Sequence, residues 1–287
     1  MINKIKDQSQ DFPGECSLFA LDLHNGQELY FNQDAVLNIA STYKLLSLIC
    51  AYQKADSGDL DLSKVVTIEQ KDHKPGSGIL HELAHDLVIT IRDLLRLMII
   101  MSDNAAAIYL YRMLGGNSIN AVAANLGLKN TAFHPPKDGN KAWASSTARE
   151  LVLLMRSIIC NEAASTTSCE EMRSILSRQF YMDQIGRFLP IYPYASDLGL
   201  TPRVTLRCKG GFGIGVRCDV GSVEFIDNAP LLIAVICNFK QNDPTKYGLL
   251  QEPASILNAT MARMTIDAMR PGLIDLPYIP YHVGKRE

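Results

Sequence analysis

The sequence contains no long run of apolar residues. Apolar stretches such as 97–101 (LMIIM) and 231–237 (LLIAVIC) are far shorter than the roughly 20 residues that a membrane-spanning helix needs. The amino-terminal segment 1–16 has lysines but no apolar core of the kind that signal peptides carry. We therefore expect no membrane partner, and a cytoplasmic protein unless a leader has been removed, in which case it would be periplasmic or secreted.

The sequence also has no excess of charge of either sign. It has 28 Lys and Arg residues against 30 Asp and Glu residues, which gives a formal net charge of −2 at pH 7. Such a balance offers no basic surplus to attract nucleic acid or an anionic membrane surface. Nucleic acid is therefore not expected as a partner.

Cysteines at metal-ligand spacing are absent as well. The chain has seven cysteines, and the closest two in sequence are Cys160 and Cys169. The odd count and the lack of an export signal favour free thiols, each packing as a small apolar side chain. We expect no cofactor.

The composition is that of an ordinary globular protein, and the predicted elements follow the order strands, helices and strands again. The chain is 287 residues long, 47% hydrophobic and 20% charged, enough to bury the core of one large domain or two lobes. Short apolar runs near both ends predict strands, Asn25-Gly26 predicts a hairpin turn, and segment 41–182 has helical spacing. We predict one sheet completed by both termini, with a helical lobe inserted into it. The predicted segments are an α/β lobe at 1–38 with 195–270, an all-α lobe at 39–194 and a tail at 271–287.

A zinc-protease pattern, His-Glu-x-x-His, occurs at residues 81–85. On a helix, His81 and His85 would share one face and could both bind zinc, with Glu82 between them as general base. By itself this pattern predicts a metalloenzyme.

A second and unrelated pair of residues competes with it. Ser41 and Lys44 lie three residues apart at the predicted start of a helix, so their side chains face the same way. A buried lysine could accept the serine proton, and helix-terminal amides could stabilise an oxyanion. Alone, the pair is more simply a helix-capping serine beside a surface lysine.

Two further triplets lie downstream. Ser102-Asp103-Asn104 stands between apolar helical runs, where its side chains need hydrogen-bond partners, and alone it predicts a helix cap. Lys209-Gly210-Gly211 lies on a predicted edge strand, where glycines let a ligand backbone pair with the strand and the lysine adds positive potential. Alone, this second triplet predicts a bulge or bend.

Together, the three motifs resemble those of class A β-lactamases and related penicillin-binding enzymes. These enzymes carry Ser-x-x-Lys, then Ser-Asp-Asn, then Lys-[Thr/Ser]-Gly in this order. The resemblance covers about residues 14–268 and implies an α/β (α+β) fold of the β-lactamase/transpeptidase type. That fold is an antiparallel sheet flanked by helices, with an inserted all-α lobe. It also implies that 81–85 is a short connector and not a long helix, so zinc is not expected; Val88 also stands where metzincins have glycine.

The resemblance implies a role for each matching residue. Ser41 is the nucleophile, Lys44 is its proton acceptor or relay, and Ser102 passes a proton to the leaving group. Asn104 holds the substrate's amide side chain, and Lys209 tunes the potential of the site and binds a substrate carboxylate. The other implied substrate contacts are the oxyanion-hole amides of Ser41 and Phe212, the strand residues Gly210 and Gly211, and a carboxylate-binding Arg217.

Two departures from the family pattern bear on function. Gly210 stands where the family has Thr or Ser, and the missing hydroxyl removes a hydrogen bond to a carboxylate, about 1.5–3 kcal/mol. Segment 132–150 also lacks the Glu-x-x-Leu-Asn stretch whose glutamate activates the deacylating water in class A β-lactamases. Glu150 is expected to belong to the next helix as a capping or dipole partner, and Asp138 to be a solvated loop residue.

The acylation machinery is thus complete in the sequence, whereas the lactamase deacylation machinery is missing. We expect a monomeric serine hydrolase that forms an acyl-enzyme on Ser41 and hydrolyses or transfers an ester or amide of small-molecule or peptide-like substrates. Efficient penicillin hydrolysis is not expected. The open alternatives are a weak true β-lactamase, a D-alanyl-D-alanine-type carboxypeptidase, and a non-hydrolysing penicillin-binding or sensor protein.

Overall fold

The computed structural model describes residues 2–135, 143–192, 194–226, 228–240 and 252–277. Its helices are α1 (Ile2–Asp7), α2 (Lys44–Asp56), α3 (Ile91–Ile100), α4 (Asn104–Leu114), α5 (Gly116–Asn125), α6 (Ala148–Ile159), α7 (Thr166–Leu176) and α8 (Pro253–Met269). Its strands are β1 (Gly14–Asp22), β2 (Glu28–Phe31), β3 (Leu37–Asn38), β4 (Val65–Ile68), β5 (Leu87–Thr90), β6 (Ala132–His134), β7 (Trp143–Ser146), β8 (Val204–Gly213), β9 (Val216–Phe225) and β10 (Leu231–Phe239).

The main sheet joins the two ends of the chain. It has five strands in the order β2-β1-β10-β9-β8, and each neighbouring pair is antiparallel. Strand β1 pairs with β10 along its whole length, with Gly14 opposite Phe239 and Asp22 opposite Leu231. The predicted single sheet, completed by both termini and ending at an edge strand with Lys209, is confirmed.

Each face of this sheet is covered by its own core. Because successive strand residues point to opposite faces, Ile233 and Val235 pack on the side of α8, whereas Ala234 and Ile236 pack toward the helical part of the chain. Burial on both faces explains why β10 is apolar at every position except Asn238.

Helix α2 lies at the centre of the helical part. Residues 44–52 of this helix are all buried, and α3, α4, α5 and α7 pack around it. Threonine side chains cap two of the helices here: Thr90 accepts a hydrogen bond from the amide of Asp93, and Thr147 accepts one from the amide of Glu150. The helices themselves form where the sequence predicts helical spacing.

Three local features differ from prediction. The predicted all-α lobe contains the β4-β5 sheet and the strands β6 and β7 of the β3-β7-β6 sheet, so it is mostly and not wholly helical. The predicted two-residue hairpin is a longer connection between Asp22 and Glu28, in which Asp22 Oδ1 accepts from the His24 amide at 2.7 Å. Helix α1 was not predicted; it places Ile5 in the core beside α8. The lobe boundaries stay a prediction.

The thiols and the apolar helices bear on the remaining predictions. All seven cysteines are free, and six are buried, but Cys160 is exposed, so the expected packing is wrong at that residue. Over the residues that the structure describes, no helix combines the length and apolarity needed to cross a membrane.

Candidate active site

Ser41 lies in a short 3-10 helix, Ala40–Tyr43, that leads directly into α2. The N-cap of α2 is Tyr43, which makes no side-chain capping hydrogen bond, so the predicted capping by Ser41 is wrong. The turn is held by its own neighbours: the Ala40 amide donates to Asn38 Oδ1 at 2.9 Å, and Ala40 has a φ of 45°. The half-buried Ser41 side chain lines a cavity of about 840 Å³.

Strand β8 approaches this turn so closely that only glycine fits at position 211. A Cβ atom added to Gly211 would lie 2.4 Å from the carbonyl oxygen of Ile39 and 3.0 Å from the amide nitrogen of Ser41. Contacts this short are prohibitive for a real Cβ, especially against backbone atoms that cannot give way. Gly211 therefore sets the position of β8, and of the following Phe212 amide, relative to Ser41.

Two buried lysines converge on one serine hydroxyl. Lys44 Nζ lies 3.3 Å from Ser102 Oγ, and Lys209 Nζ lies 3.0 Å from the same oxygen. Lys44 also donates to the carbonyl oxygen of Ser102 at 2.7 Å and to Asn104 Oδ1 at 3.0 Å. The structure thus brings together Lys44, Lys209 and the Ser-Asp-Asn triplet, which lie far apart in the sequence.

Burial makes both lysines easier to deprotonate than usual, and a neighbouring like charge adds to this effect at Lys44. The pKa of Lys44 lies well below its ordinary value, chiefly because burial disfavours the ammonium and also because Lys209 is close; Asp103 partly opposes this. Burial likewise lowers the pKa of Lys209 to about 8. The neutral amine at position 44 is therefore favoured more than it is in an exposed lysine.

The Ser102-Asp103-Asn104 turn is fixed by the connector that precedes β5. Asp103 caps α4 through the Ala106 amide at 2.9 Å and also accepts from the amides of Ile79 and Leu80, both at 2.7 Å. The Ser77 hydroxyl donates to the carbonyl oxygen of Ser102 at 2.7 Å. Asp103 is thus the helix cap that the triplet alone predicted, while Ser102 and Asn104 face Lys44.

The zinc-protease pattern lies within this connector and does not form a zinc site. His81 is in a one-turn 3-10 helix, Leu80–Glu82, and His85 lies beyond its end. The His85 ring instead contacts the ring of His73, with centroids 4.7 Å apart. Nowhere in the described part of the chain do three or more candidate metal ligands cluster. The expected short connector is confirmed.

Phe212 stands between two cavities. One is the cavity of Ser41; the other, of about 750 Å³, is lined by Arg217 and by Tyr181, whose ring centroid is 5.7 Å from that of Phe212. Seen from Ser41, Arg217 therefore lies on the far side of the Phe212 ring. Its guanidinium is already paired, with Nε 3.1 Å from Glu252 Oε2 and one terminal nitrogen donating to the Gly213 carbonyl at 2.7 Å.

Gly210 pairs with Asp219 of β9 and lies on the same face of the sheet as Asp219 and Arg217. A Cβ at this position would lie 3.4 Å from Gln184 Nε2 and 3.7 Å from Asp219 Oδ1, which are ordinary contacts. Burial raises the pKa of Asp219 to about 8, so its carboxyl group is protonated at neutral pH. A Cβ atom is therefore tolerated at position 210, so packing around that atom does not require the glycine.

Glu150 has a structural role. Its carboxylate accepts from the Asn130 amide at 3.0 Å and from the Thr131 hydroxyl at 2.6 Å, and it lies in the first turn of α6. It does not line the cavity of Ser41, and no other carboxylate does so among the residues described there. Asp138 lies outside the described residues.

Sequence reasoning missed the supporting residues of this site. Ser77 holds the Ser-Asp-Asn turn, and Glu252 holds Arg217. An aromatic cluster of Tyr43, Tyr111 and Phe133 lines the Ser41 cavity. Aromatic residues at helical spacing predict only a core, so nothing in the sequence pattern distinguished these from ordinary packing.

The overall architecture matches solved structures over almost the whole chain. A β-lactamase from Sphaerobacter thermophilus DSM 20745 is 25% identical and aligns with a TM-score of 0.82, covering 96% of this chain and 97% of that one. The penicillin-binding protein PBP-A is 23% identical with a TM-score of 0.79, covering 93% and 95% of the two chains. A PBP-A mutant with the same scores is an acyl-enzyme complex with penicillin G. The predicted fold is confirmed.

Curated relatives match a shorter part of the chain. D-alanyl-D-alanine carboxypeptidase DacF of Bacillus subtilis (strain 168) is 25% identical over 188 residues, which cover 62% of this chain and 48% of that protein. D-alanyl-D-alanine carboxypeptidase DacB2 of Mycobacterium tuberculosis is 30% identical over 172 residues, covering 56% and 55%. The chain spans about half the length of these relatives.

Fold and motifs together define a serine hydrolase of the β-lactamase and penicillin-binding type. The sequence profile of the β-lactamase enzyme family matches residues 1–261. The chain belongs to this family.

Proposed function

We propose that the chain transfers acyl groups through an acyl-enzyme on Ser41. The observation that carries this proposal is the convergence of Lys44 and Lys209 on the Ser102 hydroxyl, beside the cavity that Ser41 lines. Two ammonium groups cannot both be fully charged at this range without cost, so the arrangement favours one neutral amine. A neutral amine is what a serine nucleophile needs as its proton acceptor.

In the proposed acylation, Ser41 Oγ attacks the carbonyl carbon of the substrate, and its proton passes to neutral Lys44. The bond from the carbonyl carbon to the leaving nitrogen or oxygen then breaks, and Ser102 donates its proton to the leaving atom. Ser102 recovers a proton from the Lys44 ammonium, which lies 3.3 Å away. Lys209 keeps the Ser102 hydroxyl in place and lowers the energy of the developing negative charge.

The remaining roles concern recognition. The amides of Ser41 and Phe212 form the oxyanion hole, an assignment supported by the close approach of Gly211 to the Ser41 turn. Asn104 binds a substrate amide. Arg217 binds a carboxylate weakly at most, because Glu252 already neutralises it and Gly210 supplies no hydroxyl beside it.

We also propose that deacylation of β-lactam adducts is slow. Hydrolysis of an acyl-enzyme needs a base positioned to activate water. Glu150 is held by Asn130 and Thr131, and the described lining of the Ser41 cavity has aromatic residues and no carboxylate. An ester or small amide loses its leaving group on acylation, whereas an opened β-lactam keeps its leaving nitrogen attached to the acyl group, so esters and small amides are better candidates for turnover than penicillins.

A D-alanyl-D-alanine carboxypeptidase is the second candidate. Two curated relatives carry that name at 25% and 30% identity, and their matched segments cover about half of each protein. This candidate requires release of D-alanine from a peptide ending in D-alanyl-D-alanine. The paired state of Arg217 argues against tight binding of the terminal carboxylate that such a peptide carries.

The test is intact-protein mass spectrometry after incubation with a penicillin, a cephalosporin and an activated ester, beside the Ser41→Ala variant. Persistent adducts on wild-type Ser41 with both β-lactams, together with turnover of the ester, are the expected result. Turnover of penicillin without an adduct would contradict the slow-deacylation proposal. A wild-type protein that is neither modified nor active would contradict serine acyl transfer and favour a non-hydrolysing binder. In a parallel incubation with a peptide ending in D-alanyl-D-alanine, the release of free D-alanine is measured. Its absence would contradict the carboxypeptidase candidate.

A further inference from the structure

Resting on the proposed function, we propose that the cavity beside Ser41 binds an uncharged aromatic or bulky apolar acyl group, and that Ile108, Tyr111 and Phe133 determine this selectivity. The cavity is contiguous with Ser41 and has a volume of about 840 Å³, within the range of small-molecule sites. Acetyl or alanyl groups would fill little of it.

The wall of the cavity is built from stacked rings and aliphatic side chains. Phe133 stacks on Tyr43 with centroids 4.4 Å apart and meets Tyr111 edge-on at 5.1 Å. Ile108 projects from the same face of α4 as Tyr111 and also lines the cavity. A ring placed against this wall gains dispersion and removes apolar surface from water.

The charges around the cavity are already neutralised. Arg112 is the one charged residue in the described lining, and its NH2 group is 2.9 Å from Asp72 Oδ1, whose carboxylate is almost fully buried. Burial raises the pKa of Tyr43 to about 12, so its hydroxyl stays neutral at physiological pH. A charged acyl side chain would lose its hydration here without gaining a partner.

The cavity contains its own spectroscopic reporter. The sequence has one tryptophan, Trp143, which lines the cavity, is 47% exposed and stacks on His134 at 4.0 Å. Indole emission therefore reports occupancy at this site, and the Ser41→Ala variant allows binding to be measured without acylation.

The experiment titrates the Ser41→Ala protein with phenylacetamide, acetamide and 6-aminohexanamide while tryptophan emission is recorded. Phenylacetamide should give a saturable change and bind at least about tenfold more tightly than the other two amides. The same titration is repeated with Ile108→Glu added, which puts a carboxylate into the wall. The matched control is Met113→Glu, the same substitution on the same helix at an exposed side chain outside the lining.

The proposal predicts at least a tenfold loss of phenylacetamide affinity in the Ile108→Glu protein and less than a twofold change in the Met113→Glu protein. Equal affinity for the three amides, or no saturable response to any, would overturn it. Equal weakening by both substitutions would overturn it as well. If Ile108→Glu prevents folding, as checked by circular dichroism, the comparison of the three amides decides.

Failure of the proposed function would give a different pattern. Saturable, selective binding to Ser41→Ala, combined with no acylation of the wild-type protein by a phenylacetyl ester, would leave the subsite standing and refute serine acyl transfer. Acylation by acetyl and phenylacetyl esters at equal rates, without selective binding, would refute the subsite alone.

Discussion

Lys44 and Lys209 contact the same hydroxyl oxygen. Replacing Lys209 by glutamine tests the effect of the Lys209 charge on Lys44 separately from the effect of its hydrogen bond to Ser102. Glutamine keeps a donor that can reach Ser102 but removes the positive charge. If neutral Lys44 is the proton acceptor, the rate of acylation rises with pH as Lys44 loses its proton. Removing the neighbouring charge stabilises the Lys44 ammonium, so this ascending limb should move to higher pH.

The size of the shift follows from the geometry. Both nitrogens lie within 3.3 Å of Ser102 Oγ, which sets an upper limit to their separation. At a separation of roughly 6 Å and an effective dielectric constant of about 20, two positive charges repel by about 3 kcal/mol, or about two pKa units. The shift is largest where Lys209 is charged, that is below its pKa of about 8. We expect a move of about one to two pH units.

The assay is the rate of acyl-enzyme formation with an activated ester, measured by stopped-flow from pH 5 to 10. The control is Lys54→Gln, which removes a charge from the other end of α2, away from Ser102. The plateau rate reports the loss of the Lys209 contact, and the midpoint reports the pKa of Lys44. A midpoint that stays in place or falls in Lys209→Gln would refute Lys44 as the proton acceptor whose pKa Lys209 depresses.

Three further predictions concern residues around the site. Gly210→Ser should raise the rate of penicillin acylation about tenfold by restoring a hydrogen bond to the carboxylate, while Gly210→Ala should not; equal rates would show that the hydroxyl does not reach substrate. Glu150→Gln should lower the free energy of unfolding by about 1–3 kcal/mol in urea titrations and leave the adduct lifetime unchanged, whereas a longer lifetime would make Glu150 a deacylating base. The pKa of Asp219 is raised from 3.8 to about 8, so the folded state holds a proton that the unfolded state has lost between these values. Stability should therefore fall as pH rises from about 4 to 8, and Asp219→Asn should flatten this dependence in urea titrations; an unchanged slope would contradict the buried, protonated carboxyl.

The elements of the fold were largely predictable because each has a local cause. Threonine caps at Thr90 and Thr147, the glycines that end α4, and the short apolar strands at both ends all act within a few residues of their position. The start of α2 was not predictable in this way. The Ala40 turn depends on Asn38 and on the approach of Gly211, which is about 170 residues away in sequence.

The sequence predicted which motifs form the candidate site, but not how their side chains are arranged in space. Order and spacing indicated Ser41, Lys44 and Lys209, but nothing local shows that both lysines meet one oxygen. The pairing of Arg217 with Glu252 needed the tertiary fold, because β9 and α8 are brought together only by the sheet. The glycine at position 210 could be recognised in the sequence as a departure from the family pattern, whereas the contacts that a side chain would make there could not.

The aromatic wall links the two proposals, acyl-group selectivity and slow deacylation. A positioned water needs polar partners, and Tyr43, Phe133 and Tyr111 present mainly ring faces and edges to the space beside Ser41. The same side chains that favour an apolar acyl group therefore disfavour an ordered water next to its carbonyl. An acyl group too small to cover the wall would leave room for water, and one that covers it would exclude water. The proposed selectivity for bulky acyl groups and the proposed slow deacylation are thus coupled. On these proposals, a substrate that turns over quickly must either leave part of the wall uncovered or transfer its acyl group to an amine or alcohol instead of water.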